Sequence, residues 1–236
     1  MTSQHQIIIQ NLSKQTISFY AFQQQASFTN SGAKLTVQSS SLATGPLAPH
    51  ATSGSQLTFG FDTQIYAGAI EPETQAAVAN FSVRISFSTN EMVVSQTSAI
   101  QPVDLTPASG QSNNHTVLSL NPLGLTAATY QTGPLPGSFG IQVPAFNPAP
   151  TPNLYCGSAA INQNGGVTLS SFVAPQPSSQ LVCAPLPVYF VKTGSHAVGE
   201  VITYDTSQAA KCDFSQGYSV FSVAYNADGT FTTKGR

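Results

Sequence analysis

Charged side chains are scarce in this chain of 236 residues, because only 7% of them are Asp, Glu, Lys or Arg. An ordinary soluble domain is about one quarter charged. The seven Lys and Arg residues are scattered, so the chain lacks the basic cluster that neutralises nucleic-acid phosphates or anionic lipid head groups. The 41% hydrophobic content is ample for a core and excludes disorder of the low-hydrophobicity kind. We therefore expect a folded protein with no nucleic-acid partner.

Long apolar runs are also missing. The first residues contain no basic segment followed by an apolar one, as a secretory signal would, and no window approaches the roughly 18 apolar residues of a membrane helix. We expect no membrane insertion. The protein is expected to be cytoplasmic, or else a mature or non-classically exported form.

Cysteine is rare and widely spaced, at Cys156, Cys183 and Cys212. A zinc site needs ligands in close pairs, and neither the cysteines nor the four histidines supply such a pair. We expect no metal site and no cofactor. Buried free thiols are the first expectation for the cysteines, and one disulfide with one free thiol is the alternative.

The longest absence of charge runs from Leu105 to Val191, where 87 consecutive residues contain no Asp, Glu, Lys or Arg. His115 is the only titratable nitrogen side chain in this charge-free stretch. The stretch and the preceding Pro102 together hold 13 of the 16 prolines. Its surface must meet water through Ser, Thr, Asn, Gln and backbone groups. We expect it to be covered by another molecule or to form uncharged hydrogen bonds with one.

Short alternations of apolar and polar residues predict strands along the chain, most clearly at residues 80–88 and 56–66. Closely spaced strands punctuated by Pro and Gly are typical of a β-sandwich or jelly roll. We predict a single all-β domain over residues 1–236 with long proline-rich loops. Residues 45–54 are expected to form a loop, and 67–79 is the one passage that allows a helical turn.

Groups suited to catalysis are few, since an enzyme needs titratable side chains with tuned pKa values. No Gly-x-Ser-x-Gly elbow occurs. Ser195 and His196 are neighbours in sequence, which does not bring them into contact, and nothing in the spacing supports Asp205 as a third member of a triad. We predict that the protein is not an enzyme; hydrolysis that depends on His196 or Asp205 is the third hypothesis.

One set of polar side chains predicts a ligand site. Asp62 and Gln64 lie on the polar side of one alternating strand, and Arg84 lies on the polar side of the next. If the two strands are neighbours, Asp62 and Arg84 form a cross-strand ion pair that stabilises the sheet. The functional alternative is a planar hydrogen-bonding set for a neutral sugar, with Tyr66 as its stacking face.

The segment 144–152 is rich in proline and must be extended. As a hypothesis, it is an arm that lies on a neighbouring subunit; a stiff surface connection and a ligand for an aromatic groove are the alternatives. The residues of this assembly segment are Pro144, Phe146, Pro148, Pro150 and Pro152.

These features favour a non-catalytic, self-assembling or interaction protein, such as the subunit of a particle, filament, coat or inclusion. The formal net charge of −2 lowers the repulsion between identical chains, so we expect a homo-oligomer joined through the charge-free stretch. The alternative is a lectin-like, carbohydrate-binding β-sandwich whose partner is a neutral glycan.

Overall fold

A computed structural model describes residues 4–30, 35–72, 96–147, 154–161 and 166–236. Its ordered elements are almost all strands, as the sequence predicts. In chain order they are β1 Gln4–Asn11, β2 Ile17–Gln23, β3 Ser27–Asn30, β4 Gln38–Ser40, β5 Ala43–Leu47, α1 His50–Ser53, β6 Leu57–Asp62, β7 Ile65–Pro72, β8 Gln96–Val103, β9 His115–Leu120, β10 Leu123–Leu125, β11 Phe139–Gln142, β12 Tyr155–Ile161, β13 Val167–Val173, β14 Gln180–Ala184, β15 Val188–Thr193, β16 Val201–Ile202, β17 Ala210–Asp213, β18 Val220–Tyr225 and β19 Phe231–Gly235.

The described strands form four sheets. Sheet 1 has the order β19-β18-β1-β6 and sheet 2 the order β17-β15-β2-β5. Sheet 3 has the order β10-β9-β11-β14-β3, and sheet 4 the order β16-β4-β13-β12-β7-β8. Within them, β1 and β18 run parallel, as do β9 and β11, and the other pairs are antiparallel.

Two hydrophobic cores hold these sheets together in pairs. Core 1 joins sheets 1 and 2 through buried residues such as Ile9, Phe19 and Phe221. Core 2 joins sheets 3 and 4 through residues such as Phe139 and Cys156. Each fully buried Phe or Ile contributes about 1.5–3 kcal/mol relative to exposure. The all-β, sandwich-like architecture is therefore confirmed.

The chain passes back and forth between the two sheet pairs. The chain passes from β2 in sheet 2 directly to β3 in sheet 3, and from β14 in sheet 3 back to β15 in sheet 2. Pro185 and Pro187 lie between β14 and β15. Their missing backbone N–H groups therefore remove no hydrogen bond between paired strands. From β6 in sheet 1 the chain likewise enters β7 in sheet 4. Because of these repeated passages, no single cut separates the two pairs.

Strand β2 is buried on both faces. Phe19 and Ala21 pack into core 1, whereas Tyr20 and Phe22 form a second cluster with residues that include Phe190. All three cysteines are free and buried, which confirms the first expectation for them.

The prediction of a loop at residues 45–54 is wrong. Ala43–Leu47 is strand β5, and Pro46 fits there because β5 is the edge of sheet 2. His50–Ser53 then forms one helical turn, which ends at Gly54 with a φ of 65°.

The helical turn allowed at residues 67–79 is also wrong for its described part. Ile65–Pro72 is strand β7, hydrogen-bonded to β8 on one side and β12 on the other. Pairing on both edges outweighs local helix propensity, which is a weak signal. Residues 73–79 and the strand predicted at 80–88 lie outside the described residues.

Sheet 3 has an outer face that carries no charged residue. Alternate residues of its strands, such as Leu118, Ile141 and Leu181, point into core 2, so their neighbours point outward. We call these outward positions the neutral face. They are Ser27, Thr29, His115, Val117, Ser119, Gly124, Gly140, Gln142, Gln180, Val182 and Ala184, of which the buried His115 is the one titratable side chain.

No helix in the described part of the chain has the length and hydropathy needed to cross a membrane.

Candidate functional site

A cavity of about 250 Å³ lies where sheets 1, 2 and 4 meet. Strands β5 and β6 line one side, β12 and β13 line another, and Tyr189 of β15 contributes from sheet 2. Val198 adds an apolar contact from the loop before β16. The lining polar side chains are Gln23, Thr44, Thr58, Asp62, Gln64, Tyr66, Ser158, Thr168 and Tyr189.

The corner between β6 and β7 brings three of the predicted ligand residues to this cavity. Asp62 is the last residue of β6, Gln64 lies in the two-residue bend, and Tyr66 is the second residue of β7. The Gln64 backbone N–H donates to Asp62 Oδ1 over 3.4 Å, the kind of local contact by which Asp stabilises a turn. The bend therefore holds the Asp62 carboxylate close to the start of β7.

Asp62 and Tyr66 also contact each other directly. The Tyr66 hydroxyl donates to Asp62 Oδ2 over 3.3 Å. Both contacts to the carboxylate are long, and an ionised carboxylate has about four acceptor positions. Asp62 consequently keeps acceptor capacity for a ligand.

Gln64 has a mainly structural task. Its Nε2 donates to the backbone oxygen of Val103 over 3.1 Å and to that of Ile65 over 2.9 Å. These bonds attach the bend to strand β8. The amide donors of Gln64 are thus used within the chain, which leaves its side-chain oxygen for other contacts.

Asp62 dominates the electrostatics of the cavity, because it is the one charged side chain among the described residues that line it. Burial raises the pKa of Tyr66, and the Asp62 carboxylate raises it further. The pKa of Tyr189 is raised by its burial and then by Asp62. Both phenols are therefore neutral hydroxyl groups across the physiological pH range.

Sequence reasoning missed Tyr189 and Gln23. The Tyr189 ring stacks on Phe61 with 4.3 Å between centroids and 8° between planes. Gln23 Nε2 donates to the backbone oxygen of Leu186 over 2.7 Å. Tyr189 lies in a continuous apolar run and gives no local signal of a site. Only its antiparallel pairing with β2, opposite Gln23, brings the two residues together.

Arg84, the fourth predicted ligand residue, lies outside the described residues. Along the described strands β6 pairs with β1, and Gln4 stands opposite Asp62. The Asp62–Arg84 ion pair stays a prediction.

Two residues of the predicted assembly segment are described, and both contact their own chain. The Pro144 backbone oxygen accepts from the Ser178 N–H over 2.9 Å, and Phe146 packs against core 2. Pro148, Pro150 and Pro152 lie outside the described residues. The arm on a neighbouring subunit stays a prediction.

The residues of the hydrolase hypothesis belong to separate contacts. His196 Nδ1 lies 2.8 Å from Glu200 Oε1, whereas Asp205 pairs with Lys192 and accepts from Ser207. A Ser195–His196–Asp205 triad is not assembled. The described residues also contain no group of three or more His, Cys, Asp or Glu side chains close enough to hold a metal ion.

Comparisons with protein-family models, curated proteins and solved structures give no match for this chain. The function must therefore be inferred from the cavity and the surfaces of the molecule themselves.

Proposed function

We propose that the cavity binds a small, neutral, polyhydroxylated ligand, such as one ring of a glycan, and that the protein is lectin-like. The observation that carries the proposal is the convergence of Asp62, Gln64 and Tyr66 on one cavity. These three residues, together with Arg84, are the hydrogen-bonding and stacking set that the sequence predicts for a sugar.

The chemistry of the lining suits vicinal hydroxyl groups. A hydroxyl both donates and accepts, and it finds an acceptor in the Asp62 carboxylate and donors in neutral phenols such as Tyr189. A hydrogen bond to a charged group contributes about 1.5–3 kcal/mol. Tyr66 is half-buried and offers a ring to the apolar face of a sugar.

The size and charge of the cavity further limit the kinds of ligand that it can bind. A cavity of about 250 Å³ lies below the roughly 300–1,000 Å³ of pockets for drug-sized ligands, so one ring fits better than a long chain. An anionic ligand would meet Asp62 with no cation among the described lining residues to offset the repulsion.

The test is saturation-transfer NMR with a panel of neutral methyl glycosides, followed by calorimetry of the best binder. We expect binding by the unmodified chain. Asp62→Asn should weaken it roughly tenfold or more, because the charged acceptor is lost. Tyr66→Ala should weaken it through loss of the ring and of the contact with Asp62.

Asp104→Asn and Tyr130→Ala are the matched controls. Asp104 is an exposed carboxylate bonded to the Asn113 N–H, Tyr130 is exposed, and neither lines the cavity. Both should bind as the unmodified chain does. Binding of an amine cation but of no glycoside, or of glycosides equally by Asp62→Asn, would refute the proposal.

A further inference from the structure

The neutral face of sheet 3 is a regular surface built mainly from the charge-free stretch. Strands β9, β11 and β14 in its centre all come from that stretch, and β3 at its edge adds Ser27 and Thr29. At about 4.8 Å between strands, five strands span roughly 20 Å. The side chains on this face are small or uncharged. Its exposed positions are Ser27, Thr29, Val117 and Ser119, on strands to either side of β11 and its buried Gly140.

Exposed apolar side chains lie on this face and at its border, which distinguishes it from an ordinary solvent-facing surface. Val117 lies on the face and is 40% exposed. Leu135 is 73% exposed and follows Pro134, whose Cγ lies 3.4 Å from the position of a Cβ on Gly140. Pro134 therefore lies over the face, and Leu135 stands at its border.

The lack of charge indicates what kind of partner this face accepts. A partner with charged residues would have to bury them against a surface that offers no counter-charge, which costs several kcal/mol per ion. A second neutral face imposes no such penalty. The neutral face matches itself, and a two-fold axis would bring identical patches together.

We propose that two copies of the chain associate through their neutral faces. Val117 on the face and Leu135 at its border lie in the contact. Because Pro134 covers the centre of the face, the two sheets stand further apart than the roughly 10 Å of sheets that pack directly. With strands of three to six residues at about 3.3 Å per residue, the face measures roughly 20 Å by 10–20 Å, which is below the roughly 800 Å² per partner of a standard interface. The dimer is accordingly weak and forms reversibly with increasing concentration.

Sedimentation velocity of the full chain over a concentration series tests this inference. The unmodified chain should shift from monomer towards dimer as concentration rises. Val117→Glu should weaken the association at least about tenfold, since it places an unpaired charge in the contact. Leu12→Glu changes a residue of similar exposure, 44%, in the turn after β1 away from this face, and should leave the association unchanged.

Three results would overturn the proposal. They are a monomer at every concentration, equal association by Val117→Glu, and equal weakening by Leu12→Glu. Circular dichroism spectra and melting of each variant show whether it is folded. Asp62→Asn should dimerise normally, so failure of the sugar site and failure of the dimer are separate outcomes.

Discussion

His115 is a titratable side chain in a place that does not favour charge. It is 6% exposed, and its Nε2 has no hydrogen-bond partner among the described residues. Burial lowers the pKa of His115, and it also lowers the pKa of His5. The unfolded chain therefore binds protons more readily than the folded chain in the range just below the unperturbed histidine pKa of about 6.5.

The first prediction follows from the stronger proton binding of the unfolded chain. The free energy of unfolding should fall as the pH drops through about 6.5 towards the folded pKa values, and level off with respect to these histidines below them. Urea unfolding between about pH 7 and pH 5 measures it. His115→Gln should reduce the slope, and His5→Gln should reduce it independently. A slope unchanged in both variants contradicts the assignment.

The cysteines give a second prediction. Burial raises the pKa of Cys212 to about 12 and also raises the pKa values of Cys156 and Cys183. Because the thiolate is the reactive form, a disulfide reagent should find no reactive thiol in the native protein. Three thiols should react after unfolding in denaturant, since all three are free. A thiol that reacts rapidly under native conditions contradicts this.

At the residue scale, part of the site could be predicted from the sequence. Asp62, Gln64 and Tyr66 lie within five positions of one another, so they stay close in space even though the bend at residues 63–64 interrupts the single strand that alternation predicts. Tyr189 and Gln23 could not be predicted, because they meet through pairing between strands 166 positions apart. No local pattern encodes such a contact.

At the scale of elements, Gly157 shows how tightly β12 is packed in the middle of sheet 4. A Cβ at this position would stand 2.1 Å from the Ser171 backbone oxygen and 2.8 Å from Phe172 Cα. Backbone atoms on a paired strand cannot move aside as the end of a flexible side chain can. Only glycine fits here.

The third prediction is that Gly157→Ala destabilises the protein by about 3 kcal/mol or more, at the upper end of overpacking costs, which lowers Tm by roughly 6–12 °C. Gly60→Ala is the control, because its Cβ would meet only the flexible Gln4 side chain at 3.4 Å. Its Tm should change little. Differential scanning calorimetry measures both, and equal Tm values for the two variants contradict the packing argument.

The alternation at residues 56–66 predicts one strand, which is wrong, because the chain bends at residues 63–64 and passes from β6 in sheet 1 to β7 in sheet 4. Strands β12 and β13 pair antiparallel, and the sequence between them contains Asn164-Gly165-Gly166, a pattern typical of hairpin turns, although residues 162–165 lie outside the described residues. Elements at sheet edges were also missed. Pro46 indicated a loop but lies in β5, where an edge strand tolerates it. Whether a strand will be an edge depends on tertiary pairing, which composition does not reveal.

At the scale of the whole molecule, burial within the chain's own fold explains part of the lack of charge in the charge-free stretch. Strands β9 to β14 and the first four residues of β15 come from it, and they supply many of the buried residues of both cores. Much of the stretch lacks charge because it faces other strands of its own chain. What remains for a partner is its outward part, above all the neutral face.

The fourth prediction concerns the salt dependence of the dimer proposed above. An interface without formal charge has no attraction for salt to screen. Raising the salt concentration from low to physiological should change the dimer dissociation constant by less than about twofold. Sedimentation velocity at several salt concentrations measures this, and a dimer that dissociates strongly in salt would have to use a charged surface instead.

The most direct measurement for the sugar site is a map of backbone amide NMR shifts during titration with the best-binding methyl glycoside. The shifts are predicted to cluster at the corner of β6 and β7, at Ser158 and Thr168 on the opposite wall, and at Val198. They should be absent in Asp62→Asn at the same glycoside concentration. Shifts confined to another surface, or the same shifts in Asp62→Asn, would contradict a sugar site at this cavity.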